Sequence, residues 1–224
     1  MSTPPVISLD LDDTLWAIAP VIDAAEAALL EWLREHHPQA VHGHDAASMR
    51  ELRARVAERH PQQSHDMTFL RRRALADHFA DAGPAADAAV DAAMEVFMRE
   101  RNRVTLYADV RPSLLRLRPR HRLFALSNGN ADLGRCGLAD LFDGHITAAA
   151  AGAAKPDPRI FDHLVRVAGV DRAHVLHVGD DPLADVVGAM QAGMQAVWLN
   201  RDSREWPGDL PRPARTISTL AEIL

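Results

Sequence analysis

Short apolar runs that each stop at a polar loop, with helical stretches between them, constrain this chain more than any other feature. Val6-Ile7-Ser8-Leu9 leads into Asp10-Leu11-Asp12-Asp13-Thr14-Leu15-Trp16. The run from Arg122 to Leu126 leads into Ser127-Asn128-Gly129-Asn130, and that from His174 to Val178 into Gly179-Asp180-Asp181. Ala196-Val197-Trp198-Leu199 closes the series, and His145 to Ala148 is a weaker member. Runs of this length, rich in aliphatic and β-branched residues, read as strands covered on both faces. Their alternation with helices reads as parallel βαβ units. The expected fold class is therefore α/β, a Rossmann-like parallel sheet. Open sheets of this kind bind ligands at the carboxyl ends of their strands, which is where the polar loops fall.

One stretch breaks the alternation. From Pro20 to about Arg103 the pattern is helical throughout. Ile22, Ala25, Leu29, Trp32 and Leu33 recur at helical spacing; a second helix starts near Asp45 with Met49, Leu52 and Val56 on one face. A third is predicted from Asp66 to Ala82, stopped by Gly83-Pro84, and a fourth carries Val90, Met94, Phe97 and Met98. The block reads as an inserted all-helical domain over 17–103, with 1–16 and 104–224 forming the sheet core. In that core, Leu114, Leu115 and Leu117 mark one helix and Ile160, Leu164 and Val167 another. Gly188-Ala189-Met190 falls on a helix after the third strand, and Trp206 to Pro213 reads as a surface loop.

With 224 residues, 47% of them hydrophobic, the chain can bury a sizeable core. A net charge of -6 gives no sign of a general nucleic-acid or anionic-membrane surface. The single cysteine, Cys136, cannot form an intrachain disulfide, which suits a reducing compartment. No leader-like or membrane-length apolar stretch is present, so a cytoplasmic protein is expected.

Side chains alternate along a strand, so Asp10 and Asp12 start on one face, and burying both is costly unless a cation or a proton offsets them. Ser127-Asn128-Gly129-Asn130 suits phosphate binding by backbone N–H groups and a short polar side chain, but taken alone it reads first as a plain capping turn. Lys155-Pro156-Asp157-Pro158 holds a lysine at a helix entrance. Gly179-Asp180-Asp181-Pro182-Leu183-Ala184-Asp185 sets three acids where they either cap a helix or complete a cation site with the first pair. An all-oxygen site of this kind suits Mg²⁺.

The order DxD, strand-end Ser, Lys-Pro and GDDxxxD resembles the haloacid dehalogenase (HAD) superfamily over nearly the whole chain. The resemblance implies a Rossmann-like core with a helical cap of the first type. It implies Asp10 as the nucleophile that becomes an aspartyl-phosphate, Asp12 as general acid and base, and Thr14 as support for the motif turn. Ser127 and Lys155 would hold phosphoryl oxygens, with the Asn128 backbone nearby. Mg²⁺ would bind the Asp10 and Asp180 carboxylates and the Asp12 carbonyl, with Asp181 and Asp185 as outer partners of the metal or the lysine. Within the superfamily the motifs are similar to those of bacterial phosphatases acting on flavin mononucleotide and 5-amino-6-(5-phospho-D-ribitylamino)uracil. The cap segment Ser64-His65-Asp66-Met67-Thr68 resembles theirs too.

The activity implied is Mg²⁺-dependent hydrolysis of a small phosphorylated metabolite, by a monomer or homodimer without nucleic-acid or membrane partners. The alternatives are a phosphatase for nucleotides, sugar phosphates or phosphoglycolate, a phosphomutase, a 2-haloacid dehalogenase and a non-catalytic binding protein. Dehalogenases of the superfamily typically lack the second acid of DxD, so Asp12 with Asp180 argues against that branch. For substrate contacts, Trp16 is read either against a planar leaving group or as a packing residue. His65 and Arg71-Arg72-Arg73 are read as substrate contacts or a solvated face, and His36, His37, His42 and His44 as surface rather than a metal site. Cys136 is read as structural.

Overall fold

A computed structural model of the chain describes residues 6–41, 45–79 and 86–223. The Gly83-Pro84 helix stop, with His42 and His44, lies outside them. The chain separates into two compact units, one of Met1–Ala17, Thr105–Gly129 and Gly137–Leu224, the other of Ile18–Val104 and Asn130–Cys136.

The first unit is built on a six-stranded parallel sheet. Its strands are β1 (Val6–Leu9), β2 (Arg122–Ser127), β3 (Gly144–Thr147), β4 (Val175–Gly179), β5 (Gln195–Leu199) and β6 (Arg215–Ile217), in spatial order β3-β2-β1-β4-β5-β6. Every residue of β1 is buried, as expected of a central parallel strand covered on both faces. Because β1 lies between β2 and β4, the loops after these three strands open on the same edge of the sheet. The Asp10 N–H still bonds Val178 O at 2.9 Å, so pairing continues into the first of those loops.

The expected strands form, with adjustments. Ala148 belongs not to β3 but to a short helix, Ala148–Ala151, capped by the Thr147 hydroxyl, which accepts the Ala150 N–H. The sheet does not close at β5. The edge strand β6 carries exposed Arg215 and Thr216 around one buried Ile217, so it has no apolar run to announce it. Leu115 and Val167 face outward, 54% and 51% exposed. Their helices (Val110–Leu117 and Pro158–Ala168) bury Val110, Leu114 and Leu117, and Ile160, Phe161 and Leu164 instead. The loop at Trp206 is a loop, but its indole packs edge-on against Trp198 with ring centroids 5.0 Å apart.

The second unit is helical: α1 (Ile18–His36), α2 (Ala46–Arg59), α3 (Met67–His78) and α4 (Ala86–Arg101). Ala25, Leu29 and Leu33 of α1 share a core with Val90, Ala93, Met94 and Phe97 of α4. Asp45 caps α2 in a reciprocal pair with Ser48, and Asp66 caps α3 through the Phe69 N–H, so both helices begin where an Asx residue precedes the periodic run. Asn130–Cys136 groups with this unit although the sequence places it on the sheet side. Asn102 Oδ1 accepts the Asp132 N–H at 2.7 Å, and Asn130 Nδ2 donates to Thr68 Oγ1 at 3.1 Å. Cys136 Sγ lies 3.5 Å from the same Asn102 oxygen. His36 stacks on Trp32 and His37 meets Phe79 edge-on. Neither belongs to a cluster able to hold a metal among the described residues.

The arginine run splits by burial. Arg72 and Arg73 pair with Asp91 and Asp77 at the surface, but Arg71 is buried over the Phe97 ring, its guanidinium 3.4 Å from the ring centre. It shares the buried Glu26 carboxylate with Arg50 and Arg53, at 3.4, 2.9 and 2.6 Å. Glu26→Ala would leave these guanidiniums without their common acceptor, and we expect a loss of about 3 kcal/mol. Arg72→Ala should stay within about 0.5 kcal/mol of wild type. Urea unfolding of the two variants checks the contrast. No helix among the described residues is long and apolar enough to cross a membrane.

Candidate active site

Where β1, β2 and β4 end, a cleft of about 200 Å³ opens, wholly within the sheet unit. Asp10, Asp12, Ser127, Asn128, Lys155, Asp180, Asp181 and Asp185 all line it. Thr14 stands behind, fully buried, its hydroxyl donating to Asp180 Oδ1 at 3.1 Å.

The loop after β1 owes its shape to local hydrogen bonds. Asp13 takes a left-handed conformation at φ 58°, which Asp tolerates better than most residues. The Leu15 N–H returns to Leu11 O and the Asp13 N–H reaches Trp16 O, both at 2.7 Å. Trp16 is fully buried, and its indole N–H donates to Asp12 Oδ1 at 2.9 Å. Trp16 thus presents no face to a leaving group; it braces one of the two carboxylates. Below the turn, Arg201 donates to Thr14 O and forks onto Asp109.

Lys155 is the hub. Its buried ammonium donates to Asp10 Oδ1 at 2.5 Å, Asp185 Oδ1 at 2.6 Å and Leu126 O at 2.8 Å. Asn128 fixes the backbone below it, its amide bonding Lys155 N–H and C=O at 2.7 and 3.0 Å. The Asn128 side chain therefore serves the lysine loop. Ser127 Oγ accepts the Gly129 N–H at 2.9 Å, which leaves its own proton to donate. The Lys155–Pro156 peptide is cis. Asp157 then caps the helix that opens at Pro158, the entrance expected for this lysine.

The acidic motif divides in two. The Asp181 carboxylate accepts the N–H groups of Leu183 and Ala184 at 2.8 and 2.7 Å. It caps the π-helical turn Pro182–Val187 through Oδ1. Only its backbone touches the network, where the Asp181 N–H donates to Asp185 Oδ2 at 2.9 Å. The wider π turn brings Asp185 back over Gly179, at whose position a Cβ would lie 2.2 Å from the Asp185 carboxyl carbon. Gly179 is thus needed for that close approach.

Burial pushes the Asp10 carboxyl well up, and Asp185 adds to the rise against the opposing pull of Lys155. Burial likewise raises Asp180, with repulsion from Asp185, to about 6. Burial would raise Asp185 too, but Lys155 and His177 hold it far below the usual carboxylate range. Lys155, which burial alone would lower, is kept charged by Asp10 and Asp185. Six aspartates therefore line a cleft with one lysine, and oxygens of Asp10, Asp180 and Asp185 lie within 4.8 Å of one another. Unrelieved negative charge and an all-oxygen donor set fit a hard divalent cation.

Two participants escaped the sequence reading. Arg204 donates to Asp180 Oδ2 at 3.2 Å and to Asp180 O at 2.6 Å from a loop with no motif to mark it. His177, buried beside Asp185, had a visible signal: a polar residue inside an otherwise apolar strand.

A family model described as haloacid dehalogenase-like hydrolase matches residues 5–193. The 5-amino-6-(5-phospho-D-ribitylamino)uracil phosphatase YigB of Escherichia coli is 33% identical over 97% of this chain and 93% of its own. The phosphoserine phosphatase of Thermus thermophilus is 38% identical over 60% of this chain and 56% of its own. Among solved structures, a 2-haloacid dehalogenase from Pseudomonas syringae pv. Tomato superposes with a TM-score of 0.91 and 39% identity, covering 97% of this chain and 95% of its own.

Proposed function

The chain belongs to the haloacid dehalogenase-like hydrolases, and on that footing we propose that it is a divalent-cation-dependent phosphomonoesterase working through an aspartyl-phosphate. The observation that carries the reading is the excess of carboxylates over cations in the cleft, with Asp12 beside Asp10. Displacement of halide from a haloacid by a carboxylate releases an anion that needs no proton, which leaves a second acid such as Asp12 without a task. A phosphate ester needs both a proton for its leaving alkoxide and positive charge on its oxygens. Asp12 and Asp180 thus favour phosphoryl transfer over the chemistry named for the Pseudomonas syringae relative.

In this reading an Asp10 carboxylate oxygen attacks phosphorus and the P–O bond to the alcohol breaks. Asp12 protonates the departing oxygen, then takes a proton from the water that hydrolyses the acyl phosphate. Trp16 holds Asp12 in place through its indole N–H. Lys155, the Ser127 hydroxyl and the Asn128 backbone hold the phosphoryl oxygens. The carboxylates of Asp10 and Asp180 and the Asp12 carbonyl would hold Mg²⁺, which supplies positive charge against the substrate's oxygens when bound. The full-length likeness to a ribitylaminouracil phosphatase supports a flavin-pathway phosphate or flavin mononucleotide as substrate. Phosphate release from a panel of these, nucleotides, sugar phosphates and phosphoglycolate tests the reading. Preference for the flavin-pathway compounds supports it; a flat profile removes the substrate assignment, and no release removes the phosphatase.

The cation has a readout independent of turnover. Asp180 titrates at about 6 in the folded chain, above its unfolded value, so its charge opposes folding above that pH and the penalty fades as pH falls toward 4. The penalty is on the order of 2 to 3 kcal/mol at neutral pH. Mg²⁺ should therefore raise the melting temperature by about 5 °C near pH 7.5 and by clearly less near pH 5. Calorimetric melts with Mg²⁺ and with chelator check it, and equal shifts at both pH values would count against the assignment.

A further inference from the structure

We propose that His177 is a positioning residue: by holding the Asp185 carboxylate it aims Lys155 at the phosphoryl group. The inference rests on the reading above, in which Lys155 binds phosphoryl oxygens.

Ser8 and His177 are register partners on β1 and β4, both fully buried, with Ser8 Oγ 2.8 Å from His177 Nδ1. His177 Nε2 lies 3.2 Å from Asp185 Oδ1, the oxygen that also accepts Lys155 Nζ at 2.6 Å. Lys155 Nζ in turn donates to Asp10, two residues beyond Ser8 on the same strand face. The contacts close a ring, Ser8 to His177 to Asp185 to Lys155 to Asp10, tied at both ends to β1.

The direction of each bond follows from chemistry. Ionised Asp185 only accepts, so Nε2 carries the ring proton and donates. Burial disfavours the imidazolium, so Nδ1 is then an acceptor and the Ser8 hydroxyl donates to it. The Ser8 hydroxyl thereby matches the tautomer that serves Asp185. With Lys155 and His177 on Oδ1 and the Asp181 N–H on Oδ2, both Asp185 oxygens are held. The Phe161 ring packs edge-on against the imidazole at 5.8 Å and limits its rotation. Without the Nε2 donor, Oδ1 is held by the lysine alone and the carboxylate can shift about its Oδ2 anchor, and the lysine with it.

The test compares His177→Asn with His177→Gln in the full chain. Asparagine still accepts the Ser8 hydroxyl but is too short to reach Asp185; glutamine is long enough. His177→Asn should raise both KM for a phosphomonoester and the calorimetric Kd of inorganic phosphate about tenfold, with a smaller fall in kcat. His177→Gln should stay within about threefold of wild type in all of them. Equal losses in the two variants, or an unchanged KM and Kd in His177→Asn, would overturn the proposal. If His177→Asn fails to fold, His177→Leu replaces it: similar in bulk but without a donor to Asp185, it should raise KM and the phosphate Kd about tenfold, and no change overturns the proposal. A wild-type protein that neither turns over phosphomonoesters nor binds phosphate overturns the phosphatase reading itself. Wild-type turnover with indifferent variants overturns this inference alone.

Discussion

Asp10→Asn is expected to abolish turnover of phosphomonoesters, by at least about 10⁴-fold in kcat, while leaving the protein folded. An amide keeps the shape of the carboxyl but is a far poorer nucleophile. The substitution also removes a buried acid whose charge burial opposes, so stability should hold or rise slightly. Phosphate release under single-turnover conditions, with a melt of the same preparation, checks both parts. Residual turnover within about tenfold of wild type would mean that the attacking group is not Asp10. Trapping of a phosphorylated wild-type chain, absent in the variant, would identify the intermediate directly.

Lys155→Met should be damaging in a different way, because the same ammonium neutralises Asp10 and Asp185. We expect kcat/KM to fall by about 10² to 10³. Removing one partner of the buried ionic cluster should also cost about 3 kcal/mol of stability at neutral pH. The contribution of Asp185 to the pH dependence should change sign. In the wild type the depressed Asp185 carboxyl contributes stability that is fully present above about pH 4, its unfolded value, and is lost on acidification. Without Lys155 burial dominates, the folded value rises above the unfolded one, and mild acid stabilises the variant. Melts from about pH 2 to 7, read as the variant minus the wild type so that the Asp180 contribution common to both cancels, separate the two behaviours. A variant that melts like the wild type across that range would mean that the cluster is not held by its lysine.

The site was legible to the extent that its residues stand at the ends of recognisable strands. Val6 to Leu9, Arg122 to Leu126 and Val175 to Val178 are apolar enough to demand interior positions, so Asp10, Ser127 and Asp180 had to fall at strand ends. What sequence spacing left open was which side chain meets which. Asp181 and Asp185 are alike in composition and neighbourhood, yet one caps a helix and the other grips Lys155. The π turn between them decides this by returning Asp185 over Gly179. Arg71, Arg72 and Arg73 are likewise indistinguishable in a charge run, but the turn of α3 sends the first onto the Phe97 ring and the others toward the surface.

The sequence by itself determined the α/β class, the parallel strands around β1 and the set of acids gathered at their ends. These follow from local burial patterns and from the chain direction that parallel pairing imposes. Only the tertiary structure decided that Lys155 sits between Asp10 and Asp185, that Trp16 donates to Asp12, and that His177 and Ser8 join the network. Those contacts span up to 169 residues of chain. They exist because buried polar groups must find partners wherever the sheet brings them together, a requirement that no local pattern in the sequence records.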